Sequence, residues 1–281
     1  MNIGILGLGL IGGSLGLDLR ARGYRILGFS RRESTCQKAI ALGVVDDAGV
    51  DLAMLAAADV VFICTPITAI LPTVKQLIPH ISPGTVLTDV GSVKVPVVEA
   101  IAPMWPNFVG GHPMAGTADS GIEAAQLNLF ALKPYVLTPV ATTPATAVTT
   151  VEEIARSLRA TVYHCRPDEH DRAVSWISHL PVMVSASLIA ACMSETDSAV
   201  LALGQQLASS GFRDTSRVGG GNPDLGVMMA RYNRGELLRS LQHYRHNLDQ
   251  LIHLIEQEDW IALEQHLKST QLARPQFNQP D

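Results

Sequence analysis

Short apolar runs of β type alternate with amphipathic stretches through the first half of the chain. The runs fall at residues 2–6, 25–29, 59–64, 85–89, 107–110 and 134–137, and helix-like stretches at 11–21, 33–41, 69–78 and 94–102 lie between them, punctuated by Gly or Pro. This alternation predicts a doubly wound α/β domain, a parallel sheet covered by helices. Residues 138–150, rich in Thr, Ala and Pro, read as a loop leading into a helix near 151–158 and a last strand near 161–164. From Pro167 onward only helical periodicity remains, over 173–193, 196–209 and 236–257, so the second domain is predicted to be all-helical. The division falls between residues 1–166 and 167–281. Leu237, Leu241, Leu248, Leu251, Ile252 and Ile255 share one apolar face. Core packing is its default reading and a dimer interface its sharper one. The tail, 274–281, reads as frayed.

Composition narrows the class. With 47% hydrophobic and 17% charged residues among 281, disorder is excluded outside the tail. A net charge of −5 without a Lys or Arg run argues against nucleic acid as a partner. Cys36, Cys64, Cys165 and Cys192 form no CxxC pair, so neither a metal site nor a disulfide framework is expected, and a reducing cytoplasm fits best. The apolar start, residues 3–17, lacks a cationic n-region and is broken by glycines and Ser14, unlike a secretory signal. The stretch 180–193 is shorter than the ~20 residues a bilayer requires, so no membrane segment is expected.

Gly7-Leu8-Gly9-Leu10-Ile11-Gly12 follows an apolar strand and opens a helix, the context that makes a GxGxxG pattern a dinucleotide fingerprint. In that setting the first glycine permits the turn and the second admits the pyrophosphate, while the third lets helix and strand pack closely. The second strand ends in Ser30-Arg31-Arg32, near the ~20-residue offset at which an acid ordinarily grips the ribose hydroxyls. A hydroxyl followed by two guanidiniums suits a 2′-phosphate, so NADP is the expected cofactor; two solvated arginines are the plain alternative.

Three further segments join Gly or Pro to polar side chains: Thr88-Asp89-Val90-Gly91-Ser92-Val93-Lys94, Gly110-Gly111-His112-Pro113-Met114-Ala115-Gly116-Thr117 and Gly211-Phe212-Arg213-Asp214-Thr215-Ser216-Arg217. The first two follow inferred strands, which puts Ser92 and His112 at the carboxyl edge of the sheet, where open α/β folds bind ligands. Together with Ser178-His179-Leu180-Pro181 and the glycine fingerprint, these segments resemble the prephenate/arogenate dehydrogenases of tyrosine biosynthesis along almost the whole chain.

The resemblance implies a nucleotide-binding domain joined to a helical dimerisation domain, hence a homodimer, and oxidative decarboxylation of a cyclohexadienol. It makes His112 the partner of the reacting hydroxyl, an imidazole whose ordinary pKa near ~6.5 suits a base at neutral pH. Ser92 would orient His112 or bind the same hydroxyl, unless it only caps the helix near Lys94. Arg217 matches the arginine that binds a substrate carboxylate, Arg213 is either a second contact or a surface ion pair, and His179 either contacts substrate or begins a helix. The other histidines, His170 among them, are assigned to surfaces or packing. One departure concerns the substrate: Val182 stands where many members carry a further histidine after His-Leu-Pro. Losing that possible cation favours arogenate, whose side chain carries an ammonium, and Asp224 either receives it or serves a helix start. Prephenate is the alternative substrate. An NADP-linked hydroxyacid dehydrogenase, an imine reductase and an NADP(H)-sensing binding protein are the competing classes.

Overall fold

The structure, a computed structural model, describes residues 1–117 and 119–277. In the first domain the elements run β1 (Asn2–Leu6), α1 (Leu10–Arg20), β2 (Arg25–Phe29), α2 (Glu33–Ala41), β3 (Asp47–Gly49), β4 (Val60–Ile63), α3 (Ile67–Leu77), β5 (Val86–Asp89), α4 (Val95–Ile101), β6 (Phe108–Pro113), β7 (Pro134–Thr138), α5 (Ala145–Ser157) and β8 (Thr161–His164). They form one eight-stranded sheet in the order β3-β2-β1-β4-β5-β6-β7-β8. Every pairing is parallel except β6 with β7.

The central strands are apolar along their whole length because both faces are covered. Side chains alternate across the sheet, so Val60 and Phe62 of β4 join the core beneath α1 and α5, whereas Val61 and Ile63 join the core beneath α3 and α4. Strand order reverses between β1 and β4, and the carboxyl ends of these strands open onto the crevice where such sheets receive ligands.

The second domain comprises α6 (Pro167–Val174), α7 (Leu180–Met193), α8 (Ser198–Leu207), α9 (Ser210–Ser216), α10 (Pro223–Tyr232), α11 (Arg234–Glu256) and α12 (Trp260–Ala273). A π-turn over Ser175–His179 joins α6 to α7, so Pro167–Met193 is one continuous rod.

Several expectations need correction. β6 runs on to Pro113, so His112 lies in a strand rather than in the loop after it. The stretch read as a loop up to residue 150 becomes helical at Ala145, directly after Pro144, whose fixed φ suits a helix start. Residues 210–216 and 217–220, beyond the end of the helix predicted over 196–209, are helical as well. The rod Pro167–Met193 does reach the length and apolar character that a bilayer crossing needs, unlike 180–193 taken alone. Its first half, however, buries His170, Asp171 and His179. On α11, Leu237 is buried, but Leu248, Ile252 and Ile255 are 45%, 46% and 52% exposed, so core packing within one chain explains only the start of that face. Arg274–Phe277 forms a short 3-10 turn where fraying was expected, and residues 278–281 lie outside the described residues.

Candidate active site

The fingerprint between β1 and α1 has the geometry of a dinucleotide cradle. Gly7 takes φ +111°, and a Cβ there would stand 2.8 Å from the Cys64 carbonyl. A Cβ on Gly12 would meet the Gly7 carbonyl oxygen at 2.0 Å, so helix and strand approach closely only without one. Gly9, by contrast, faces open space and starts α1 with no side chain capping its N–H groups, which leaves them for a phosphate. Leu8 packs into the core, with Leu10 and Ile11 against its edge. These residues fit a bound dinucleotide. At the end of β2, Ser30 Oγ accepts from the Arg32 N–H at 3.3 Å, and Arg31 and Arg32 are exposed beside it.

At the other end of the crevice, β6 extends past its pairing with β5, which stops at Thr88–Val109, and carries His112 beyond the edge of β5. Lys94 and Asp89, both fully buried, form an ion pair beneath it. Lys94 Nζ also donates to the Gly111 carbonyl at 2.6 Å, and the Gly111 N–H donates to Asp89 Oδ1 at 3.2 Å. The backbone before His112 is therefore held from both sides. Removing one partner of such a pair typically costs ~3–5 kcal/mol, because the other charge is left buried alone.

His112 Nδ1 lies 2.8 Å from Nε2 of His170, whose Nδ1 lies 2.7 Å from Asp171 Oδ1. The same carboxylate accepts from the N–H groups of Lys94 (2.7 Å) and Val95 (2.8 Å), capping α4. Ser92 thus does not cap that helix; it sits half-buried in the preceding bend, without a hydrogen bond to His112. Placing His170 at a surface or in mere packing is overturned: it is 2% exposed and joins His112 to a carboxylate.

His179 enters the same cluster through the π-turn. An α-helix returns to the same face about every 7.2 residues. The extra residue of a π-turn makes the eight-residue separation of Asp171 and His179 behave like seven, so both fall on one face. Asn233 spans them, its Nδ2 donating to the Asp171 carbonyl (2.7 Å) and to His179 Nδ1 (3.1 Å). His179 therefore carries its proton on Nε2, which is buried and lacks a hydrogen-bond partner among the described residues. Burial pushes His179 down to about 4 against the opposing pull of Asp171. Burial also holds His112 well below the ordinary histidine value, with His170, Lys94 and His179 adding to the effect. Both rings are neutral at pH 7.

The remaining candidates lie outside this cluster. Arg217 is exposed in a turn pinned to α7 by Ser185, whose Oγ donates to the Thr215 carbonyl and accepts from the Gly219 N–H, both at 2.9 Å. Arg213 is exposed and 3.6 Å from Asp214. Asp224 stands exposed in the first turn of α10, and the cap there is Asn222, which accepts from the Asp224 N–H. No hydrogen bond or ion pair joins these three to His112 or His179 among the described residues.

Sequence reasoning missed His170, Asp171 and Asn233. For the first two, the available signal was a His-Asp pair one turn into a helix that opens on Pro167. Asn233 had none.

Residues 15–164 match the family described as prephenate dehydrogenase, nucleotide-binding domain, and residues 166–269 its dimerisation domain. A prephenate dehydrogenase of Bacillus subtilis is 33% identical over 94% of this chain and 73% of its own length. Among solved structures, an arogenate dehydrogenase from Synechocystis is 53% identical with a TM-score of 0.91, covering 99% of this chain and all of that one. A prephenate dehydrogenase from Aquifex aeolicus, in complex with hydroxyphenyl propionate and NAD+, is 27% identical with a TM-score of 0.92 over 99% of this chain and 98% of that one.

Proposed function

The chain belongs to the prephenate dehydrogenase family of oxidoreductases, and from that premise we propose that it oxidatively decarboxylates L-arogenate to L-tyrosine with NADP, as a cytoplasmic homodimer. The observation that carries the chemistry is His112, held at the sheet edge with its Nδ1 engaged and its Nε2 free to accept a proton. A dinucleotide held by Gly7–Gly12 would supply the acceptor for the hydride that leaves the ring carbon bearing the hydroxyl. His112 Nε2 takes the hydroxyl proton as the carbonyl forms. The ring carboxylate then leaves as carbon dioxide, its electron pair makes the ring aromatic, and His112 returns the proton to the phenol oxygen. Nothing in that sequence calls for a metal ion.

Binding falls to the charged and polar groups around the base. Arg217 receives a carboxylate through its planar guanidinium. The His179 Nε2–H is a buried donor for a substrate oxygen, and Ser92 lies on the bend after β5 as a contact for the reacting hydroxyl. Arg213 stands as a second carboxylate contact at the surface, 3.6 Å from Asp214. The 2′-phosphate of NADP goes to Ser30, Arg31 and Arg32.

Arogenate is favoured by the place of Val182. A Cβ on Gly226 would lie 3.9 Å from Val182 Cγ1, so α10, with Asp224 in its first turn, runs beside the position where many members have a histidine. Val182 offers neither a hydrogen bond nor positive charge to a keto acid, so the loss of a possible cation there favours the ammonium of arogenate. The 53% identical arogenate dehydrogenase supports the same choice, and the relatives named prephenate dehydrogenase support prephenate as the second reading. The homodimer rests on the dimerisation-domain match and the half-exposed apolar face of α11. The four free cysteines suit a reducing compartment. Steady-state kinetics with arogenate and prephenate, each against NADP and NAD, test the reading; efficient turnover confined to prephenate with NAD would reject it.

A further inference from the structure

Two residues the reaction does not touch stand behind the base. Asp171 accepts from backbone N–H groups on both carboxylate oxygens, so the His170 Nδ1–H donates to it. That leaves the lone pair of His170 on Nε2, facing His112 Nδ1 at 2.8 Å. The only complementary arrangement has His112 donating from Nδ1 and keeping its own lone pair on Nε2. A ring nitrogen's proton is set by the hydrogen bond its partner nitrogen makes, and here that bond leads to a carboxylate through a second imidazole. Both rings and the carboxylate are buried. The charged and titratable groups around His112 are Lys94, His170 and His179, with Asp89 and Asp171 behind them.

We propose that His170 and Asp171 are positioning residues that fix His112 in the Nδ1–H tautomer, so that its Nε2 is ready to accept the substrate's hydroxyl proton. The inference rests on His112 acting as the base. It adds a reason for the carboxylate's place: the same oxygens that cap α4 orient the ring that does the chemistry. In a serine-protease triad, replacing the orienting carboxylate by an amide gives the wrong tautomer and lowers kcat by ~10⁴.

The direct test is two-dimensional ¹⁵N–¹H NMR of ¹⁵N-histidine-labelled full-length protein, with His112→Asn used to assign the signal. His112 is expected with a protonated Nδ1 and an unprotonated Nε2 in the wild type, and to move toward the Nε2–H form in His170→Leu. Kinetics on the same proteins should show His170→Leu losing roughly 10²-fold in kcat, within the range of general-base assistance. KM and the dissociation constant for NADP should stay within about twofold of wild type, because neither residue touches a ligand. His170→Gln, whose amide can accept from His112 and donate to Asp171, should restore much of kcat. This variant also keeps the test open if His170→Leu folds poorly.

A wild-type His112 found as the Nε2–H tautomer would overturn the proposal. So would equal kcat in His170→Leu and the wild type while His112→Asn is inactive, an outcome that leaves the base itself in place. Full activity in His112→Asn would instead remove the base, and the proposal with it.

Discussion

His112 and His170 share a hydrogen bond of 2.8 Å although they stand 58 residues apart and belong to different domains. The strand that carries the first and the helix that carries the second meet only when the domains dock, so the base is completed by tertiary structure. Local sequence does not supply it.

His112→Asn is expected to keep the fold and nucleotide binding while losing ~10²–10⁴ in kcat. Fluorescence titration with NADPH and steady-state turnover check the two halves separately. A variant with near-normal kcat would pass the base role elsewhere, with His179 the next candidate.

Ser30→Asp should weaken NADP much more than NAD, because a carboxylate placed beside Arg31 and Arg32 repels a 2′-phosphate and welcomes a ribose hydroxyl. The ratio of kcat/KM for the two cofactors is the readout. An unchanged ratio would mean that the end of β2 does not receive that end of the cofactor.

Arg217→Ala should raise KM for the substrate strongly with a smaller effect on kcat, since a carboxylate clamp acts on ground and transition states alike. An unaltered KM would eliminate the clamp. Arg213→Ala, which breaks only an exposed pair with Asp214, should change stability by less than ~1 kcal/mol in urea unfolding.

Val182→His should narrow the preference for arogenate, and Asp224→Asn should weaken arogenate more than prephenate, both read as ratios of kcat/KM. Wild-type enzyme that used the two substrates equally would defeat the electrostatic argument. Asn222 caps α10, so the Asp224 substitution spares the helix start.

Stability should fall between pH 6.5 and about 4, the window set by His179. Its folded-state pKa is depressed, so the unfolded chain binds more protons and stability is present in full above the ordinary value. It is lost as pH falls toward the folded one. Each pH unit inside the window is worth up to ~1.4 kcal/mol for such a buried ring, and His112 acts in the same direction. Urea midpoints should decline across this range in the wild type and less steeply in His179→Gln. Parallel slopes would contradict the assignment.

What the sequence revealed and what it hid divides along the range of the forces involved. The glycine fingerprint was legible because its requirements are local: a positive φ at Gly7 and no Cβ at Gly12. The alternation of strands and helices was legible for the same reason, since burial on both faces leaves continuous apolar runs. β3 spans three residues, too few for any period to register. His170 and Asp171 offered only a His-Asp pair near a helix start, because the partners that give them their role lie 58 and 77 residues away. Ser92 was a reasonable cap until Asp171 reached in from the second domain, since serine and aspartate serve equally well at that position. α9 and α10 were hidden by Gly211 and Gly226, which depress helix propensity without preventing tertiary contacts from overriding it.

The π-turn at Ser175–His179 also sets an angular phase between the two halves of one rod. Winding the same residues as plain α-helix, with none removed, would rotate everything downstream by ~100°. Asp171 would still reach α4, but His179 would swing away from Asn233, and every apolar side chain on α7 would point in a new direction. The turn thus works as a gear tooth: the alignment of His170 with His179 and the facing of α7 cannot be adjusted independently, and rewinding these five residues as plain α-helix would disturb both at once.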